Sequence, residues 1–304
     1  MEFISNIIYG LIYGAILGAV ASGLTLIWGV MKVVNLAHGH LAVLGAFLAV
    51  IFYKYTPITI DPSLSPIIAF IIGALFGIFF YYTSLHVIVG KAETMTLKVE
   101  MSSLLSTFGF GVALYGLLYY GSAQGWYLQF EGLTGWTIQV GGKPYFEILG
   151  VSIQYSWLVG LFYAVILIAL VELFLRKTVW GLAIRAVAQD SRAVALTGYD
   201  PVKVKLLTTV LSTAMALSAG AIFTLYIQNG INPDLEHFLA PLSFVIVVLG
   251  GLGSVIGTFI GGLIIGLAYG ITMALTGTQA IALSVSFVIL VVILLVKPQG
   301  LFGR

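Results

Sequence analysis

Seven stretches of this chain contain no Asp, Glu, Lys or Arg: 3–31, 33–53, 62–90, 101–130, 148–171, 206–233 and 237–296. Each exceeds the roughly 20 apolar residues that carry a helix through the hydrocarbon of a bilayer. Backbone groups in hydrocarbon must find their partners within the protein, and a long unalternating apolar run does so as a helix. Only 8% of the 304 residues are charged, against about 25% in an ordinary soluble domain. The expected fold is therefore an all-α polytopic membrane protein.

Six of the stretches predict one helix each, near 4–30, 34–53, 66–89, 102–120, 155–175 and 205–228. The last is long enough for more than one. Gly250-Gly251-Leu252-Gly253 and Thr276-Gly277-Thr278 divide it into 238–250, 254–275 and 279–296, the first piece being short for a crossing. Eight or nine passes result. Placing 176–205 in the cytoplasm with nine alternating passes puts 11 of the 13 basic residues inside, leaving only Lys54 and Lys143 outside. Eight passes would also move Lys297 and Arg304 outside, so the positive-inside rule favours nine, with the amino terminus out and the carboxyl terminus in. Glu2 stands where a signal peptide would carry positive charge, and the apolar segment after it is too long for one.

Two hydrophilic segments interrupt the spans. Residues 121–154 form an external loop, where WTIQV, a turn at Gly141-Gly142-Lys143 and YFEIL predict a small hairpin. Trp126, Trp136 and Trp157 suit a membrane interface. The cytoplasmic segment 176–205 carries an amphipathic pattern over 182–196. Helical spacing puts Arg185, Gln189 and Arg192 on one face and Ile184, Val187 and Val194 on the other. Gly198 can end this helix, and Asp200-Pro201 can begin the next. Physics alone leaves a helix lying on the membrane surface and a knob docking into a partner equally open. Glu172 and Arg176 are spaced for a local ion pair, and His86 and His237, near helix ends, are expected to meet water.

Polar residues inside a span are costly and usually face a cavity or another helix. Asn35, His38 and His40 occur within VVNLAHGHLAVLGAF at 33–47, with Gly39 where the backbone can bend. They either line a wet path or bond between helices. The run Gly250, Gly251, Gly253, Ser254 is too glycine-dense for ordinary packing and predicts a helix break, whereas Gly257 and Gly261 suit close helix contact. VVNLAHGH at 33–40 and VVLGGLGS at 247–254 are weakly alike, which suggests an internal repeat with broken helices meeting near the midplane.

Some chemistries are excluded. No Cys is present, so thiolate metal sites, disulfides and thiol nucleophiles are absent. There is no P-loop to cradle ATP, and neither HExxH nor GxSxG occurs. The carboxylates lie almost wholly between spans, unlike those of an ion-driven transporter. Nothing calls for a catalytic residue, a metal, a cofactor or a nucleic-acid partner.

With these residues in view, the sequence resembles the permeases of branched-chain amino-acid ABC transporters, in particular the H-type inner-membrane subunit. The likeness rests on GLTLIWGVMKVVNLAHGHLAVLGAF at 23–47, the Gly- and Trp-containing external loop, WGLAIRAVAQDSRAVALTGYD at 180–200 and GGLGSVIGTFIGGLIIG at 250–266. It spans essentially the whole chain. It implies one permease domain over 1–304 in a prokaryotic cytoplasmic membrane, without enzymatic activity of its own. It also implies two cytoplasmic ATP-binding subunits, a second homologous permease and an external solute-binding protein as partners. Asn35, His38, Gly39, Gly250, Gly251, Gly253 and Ser254 would then border the substrate path. Arg185, Gln189, Asp190, Arg192 and Gly198 would belong to the segment coupling to an ATPase. The implied cargo is leucine, isoleucine and valine. Related permeases serve urea, short amides or other amino acids, and His40 stands where the family commonly has an acidic residue. A stand-alone channel for a small polar solute is the reading from another class.

Overall fold

The computed structural model describes residues 2–56, 60–90, 92, 94–123, 133, 136–140, 142–148, 150–227, 230–297 and 299–303. Eleven α-helices run through them: α1 (Glu2–Met31), α2 (His38–Lys54), α3 (Ser65–Phe80), α4 (Leu97–Ala123), α5 (Tyr155–Lys177), α6 (Val179–Gln189), α7 (Ser191–Leu196), α8 (Pro201–Tyr226), α9 (Glu236–Gly250), α10 (Val255–Thr276) and α11 (Gln279–Val296). Eight helical stretches are long and apolar enough to cross a membrane, and α2, with 17 residues, is a shorter apolar helix. The protein is an all-α polytopic membrane protein.

The charge-free stretches correspond to helices, with three refinements. The second helix begins at His38 rather than 34, because residues 32–37 leave the helical path at Lys32, whose φ is 56°. The third is preceded by a 3-10 turn (Pro62–Leu64) and continues beyond Phe80 as a π-helix, Tyr81–Gly90. The helix expected over 182–196 is two helices. Asp190 adopts an extended conformation between them, and its carboxylate accepts from Arg192 N at 2.8 Å and Ala193 N at 3.2 Å. A side chain that caps the second helix thereby competes with continuing the first.

The hairpin also differs from expectation. Strand β1 (Tyr145–Ile148) pairs with β2 (Val151–Gln154), not with WTIQV, which contributes only an isolated bridge between Val140 and Lys143. Pro144 has no N–H to extend the ladder toward 140. Gly150, at φ 77°, supplies the turn residue just before β2. Val151 and Ile153 point inward from β2 and are buried. Trp136 and Trp157 are not free interface anchors, since Trp136 Nε1 lies 3.5 Å from Asp61 Oδ2 and Trp157 Nε1 donates to the Tyr226 carbonyl at 3.1 Å. Trp126 lies outside the described residues.

The bundle is arranged as an inverted repeat. α1 packs most extensively on α10 and α8 on α3; α1 and α8 pack on each other, α2 on α8 and α9 on α1. The set α1-α2-α3 thus matches α8-α9-α10. In each set a long helix is followed by a break, residues 32–37 in the first and, among the described residues, 230–232 with a 3-10 turn (Pro233–Leu235) in the second, and then by a shorter helix. The repeat read between 33–40 and 247–254 is therefore misregistered, since 251–254 joins α9 to α10. The matching segments begin α2 and α9, where Leu41-Ala42-Val43-Leu44 corresponds to Leu239-Ala240-Pro241-Leu242.

Small residues let these backbones touch. A Cβ at Gly14 would overlap the Gly262 carbonyl, and one at Gly266 would overlap the Gly10 carbonyl. Between α2 and α8, Gly45 lies against the Leu217 carbonyl and Gly220 against that of Ala42. Lipid offers no hydrophobic drive between helices, so contact of this kind is a main source of their association. Gly257 and Gly261 pack on α9, at Gly250 and Ile246, in keeping with the close contact expected of them.

Candidate functional site

The break between α1 and α2 turns back into the bundle. His38 lies beside the middle of α1, its Nε2 2.7 Å from the Val20 carbonyl, although α1 continues to Met31. Residues 32–37 therefore run back along α1, and α4 steadies them: Thr107 Oγ1 accepts from Leu36 N at 3.3 Å and lies 3.5 Å from the Val34 carbonyl. Asn35 Oδ1 accepts from Ala37 N at 3.1 Å and shapes the turn into α2. Asn35 and His38 are 3% and 2% exposed, yet Asn35 Nδ2 and His38 Nδ1 have no hydrogen-bond partner.

Asn35 and His38 line a cavity of about 430 Å³ whose walls include Leu24, Phe244, Val245 and Phe287. Its other polar side chains are none among the lining residues. Gly39 closes one flank, because a Cβ there would meet the Ala240 Cβ at 2.7 Å. α9 thus approaches α2 to within backbone contact.

Beside that contact lies a cluster that sequence reasoning missed. Glu236, at the start of α9, is buried; its Oε2 lies 3.6 Å from His40 Nε2 and its Oε1 2.7 Å from His237 Nδ1. Tyr115 of α4 donates to Asp234 Oδ1 at 2.7 Å and packs edge-on to the His40 ring. His237, expected to meet water, is exposed but held by Glu236. The sequence signal was the acidic-histidine pair Glu236-His237 after Asn232-Pro233, at the position in the second repeat that His38-Gly39 occupies in the first.

Gly250, Gly251, Gly253 and Ser254 do not line the cavity. They form the turn from α9 to α10. Gly251 and Gly253 have φ 96° and 83°, values that favour glycine, and Ser254 Oγ caps α10 by accepting from Gly257 N at 3.0 Å. The turn abuts the end of α1: Gly253 N donates to Thr25 Oγ1 at 3.1 Å, and Gly29 faces the Gly253 backbone. On its other side the carboxyl-terminal residues cap α9, with Leu301 N and Phe302 N donating to the Leu249 and Gly250 carbonyls at 2.8 and 3.2 Å.

At the same end of the bundle, α6 and α7 expose Arg185, Gln189, Asp190 and Arg192, while Ile184, Val187 and Val194 are buried. The two-sided pattern survives the break at Asp190. Gly198, at φ 86°, turns the chain toward Asp200, which caps α8 through Val202 N at 2.9 Å. A groove of about 400 Å³ between α6 and α7 is lined by Leu182, Ala186, Gln189, Asp190, Val194 and Tyr199 among others. α6 packs on α1, α5 and α8. His86, in the π-helix, is packed against Tyr81 and Tyr82 rather than simply hydrated.

The family described as "Branched-chain amino acid transport system / permease component" matches residues 6–294. The chain belongs to this permease family. The match takes in both helix breaks, the cavity and the α6–α7 segment. The high-affinity branched-chain amino acid transport system permease protein LivH of Salmonella typhimurium is 28% identical over all of this chain and 96% of its own length. The LivH protein of Escherichia coli K12 is equally similar over the same shares of both chains. The probable branched-chain amino acid transport permease protein LivH of Methanocaldococcus jannaschii is 27% identical over 93% of this chain and 87% of its own length. No solved structure matches.

Proposed function

We propose that this chain is the membrane-spanning subunit of an ATP-driven importer of branched-chain amino acids, with residues 1–304 forming one permease domain. The observation that carries the reading is a family match over nearly the full length in a chain whose broken helices enclose a cavity bordered by Asn35 and His38. Broken helices with free backbone groups at a repeat interface are a recurring way to bind solutes in transporters.

In this reading the permease catalyses no reaction. Two cytoplasmic ATP-binding subunits hydrolyse ATP, an external solute-binding protein delivers the cargo, and a second homologous permease completes the path. The cavity's exposed edge, formed by Leu36, Phe244 and Phe287, supports a second subunit closing it there. Arg185, Gln189, Asp190, Arg192 and Gly198 belong to the ATPase-facing segment, which the exposed α6–α7 groove supports. A push on α6 reaches α1 by direct packing, and α1 ends against Gly253. The Gly250–Ser254 turn then acts as a hinge of the path rather than as part of the cavity wall.

The test is mild-detergent purification of the tagged chain, identification of co-purifying subunits, and ATP-dependent leucine uptake after reconstitution. Two ATPases, a second permease and leucine uptake are the expected result. Uptake of a small polar solute by this chain alone, without ATP, would replace the proposal with a channel.

A further inference from the structure

Asn35 and His38, which line the cavity between the α1–α2 break and α9, carry unmatched hydrogen-bonding capacity of both signs. A backbone carbonyl only accepts, so His38 Nε2 carries the proton shared with Val20, and in the neutral ring Nδ1 is an acceptor. That acceptor has no partner. Asn35 spends its oxygen on Ala37 N, which leaves its amide hydrogens as donors without a partner. α2 begins beside them with Ala37 at its N-cap and no side-chain cap. The first N–H of that helix, on His38, is already taken by the Asn35 carbonyl at 3.2 Å, so the side chains of Asn35 and His38 carry the free polar capacity.

The rest of the lining is apolar, with Pro241, Phe244 and Val245 from α9, Leu24 from α1, and Phe287 and Leu290 from α11. Val245 is 1% exposed, and the Phe244 ring stacks on Trp28 with centroids 5.4 Å apart. Val245 is therefore fixed by burial, and Phe244, at the exposed edge, is placed by its stacking on Trp28. A polar side chain entering here would lose its hydration and find no partner away from Asn35 and His38.

We infer that this cavity sorts amino acids by side chain. The α-carboxylate meets the Asn35 amide, the α-ammonium donates to His38 Nδ1, and an aliphatic side chain lies against α9, with Phe244 and Val245 setting its permitted size. This rests on the reading of the chain as an amino-acid permease, and it assigns specificity to this subunit as well as to the protein that delivers the cargo.

The experiment uses the complete transporter in proteoliposomes with internal ATP. Leucine and phenylalanine are each supplied at concentrations that saturate the external binding protein, so that delivery does not set the ratio. Phe244→Ala enlarges the cavity and is expected to raise the phenylalanine-to-leucine uptake ratio by about tenfold or more, the scale of discrimination that pocket shape supplies. Val245→Ala should shift it in the same direction by less. Asn35→Asp keeps the size but faces the carboxylate with a like charge, and should cut leucine uptake by about tenfold or more while the subunits still co-purify. 4-Methylpentanoate and 3-methylbutylamine, which lack the ammonium and the carboxylate of leucine respectively, should not compete with leucine for uptake. An unchanged ratio in both cavity variants, with leucine still imported, would overturn the sorting site alone. Competition by either analogue as effective as that of leucine would do the same. Failure of the unsubstituted transporter to import any amino acid would overturn the permease reading and this inference with it.

Discussion

Gly266→Ala adds one methyl group at the glycine-lined seam between α1 and α10, where its Cβ would overlap the Gly10 carbonyl and crowd Gly14 Cα on the facing helix. Neither obstacle is a side chain that can rotate away. α1 and α10 must therefore separate locally by about 1 Å, and a gap of that size forfeits a quarter to a half of the dispersion energy of the contacts it opens. Overpacking a well-packed core typically costs about 1–3 kcal/mol. The seam extends from Asn6 opposite Gly270 to Gly29 opposite Gly253, so the upper part of that range is expected. Gly116→Ala is the control, because a Cβ there meets nothing within 4 Å. Both variants change the same atoms and both improve helix propensity, which by itself favours Ala by roughly 1 kcal/mol in soluble helices. Thermal unfolding in a fixed detergent, followed by size-exclusion recovery, should show Gly266→Ala melting clearly below the parent and Gly116→Ala at or above it. Equal melting of the two variants would refute the argument that backbone contact at the α1–α10 seam holds the bundle together.

Two further outcomes follow from the ends of the bundle. On the proposed coupling role of α6 and α7, replacing Arg185 and Arg192 together by Glu would set like charges against the ATPase, a juxtaposition that typically costs several kcal/mol; ATPase co-purification and uptake should both fall, whereas a helix held only by anionic lipid would lose about 1 kcal/mol per basic residue, and reversal of Lys297 and Arg304 serves as the charge-matched comparison. At the other end, burial pushes the Asp61 carboxyl up, but hydrogen bonds from Ser63 and Trp136 outweigh it and hold the group below its ordinary value. The folded pKa is depressed, so this contribution to stability is complete above the unfolded carboxylate value and is lost as pH falls through the lower folded one. Acid titration of Trp136 fluorescence should report that release, and Asp61→Asn should remove the pH dependence; an unchanged titration in the variant would show that another group controls it.

Much of the fold was legible because of where charge is missing. A span cannot hold many charges, so each uncharged run longer than a bilayer crossing reports a helix with its approximate ends. The glycine break was legible for a similar reason, since three glycines among residues 250–253 are too many for a helix interior. What escaped involves choices among partners of comparable energy. Asp190 either remains exposed on a continuous helix or caps a new one, and the capping hydrogen bonds decide it. The hairpin register turned on Pro144, whose missing N–H was outweighed in the pattern by the alternation of WTIQV. Of the polar residues proposed for the path, the cavity brings together Asn35 and His38, while Gly39 contacts α9 and the Gly250–Ser254 turn stands apart.

The inverted repeat explains why that separation has mechanical sense. In the first half, the irregular chain 32–37 leads into α2 at His38; in the second, 230–235 leads into α9 at Glu236, and the two short helices meet at Gly39 and Ala240. Each short helix is also packed on the long helix of the other half, α2 on α8 and α9 on α1. Moving α9 relative to α2 must therefore shift α1 against α8, and the same displacement strains the turn at Gly250–Ser254, because Thr25 and Gly29 hold it to α1 while Leu301 and Phe302 hold it to the carboxyl-terminal residues. The buried pair Glu236 and His40, with the exposed His237 beside it, sits where the two short helices meet. Separating them there would take His40 away from the buried Glu236 carboxylate while His237, on the same helix, stays with it, and that cost biases the pair toward the closed contact.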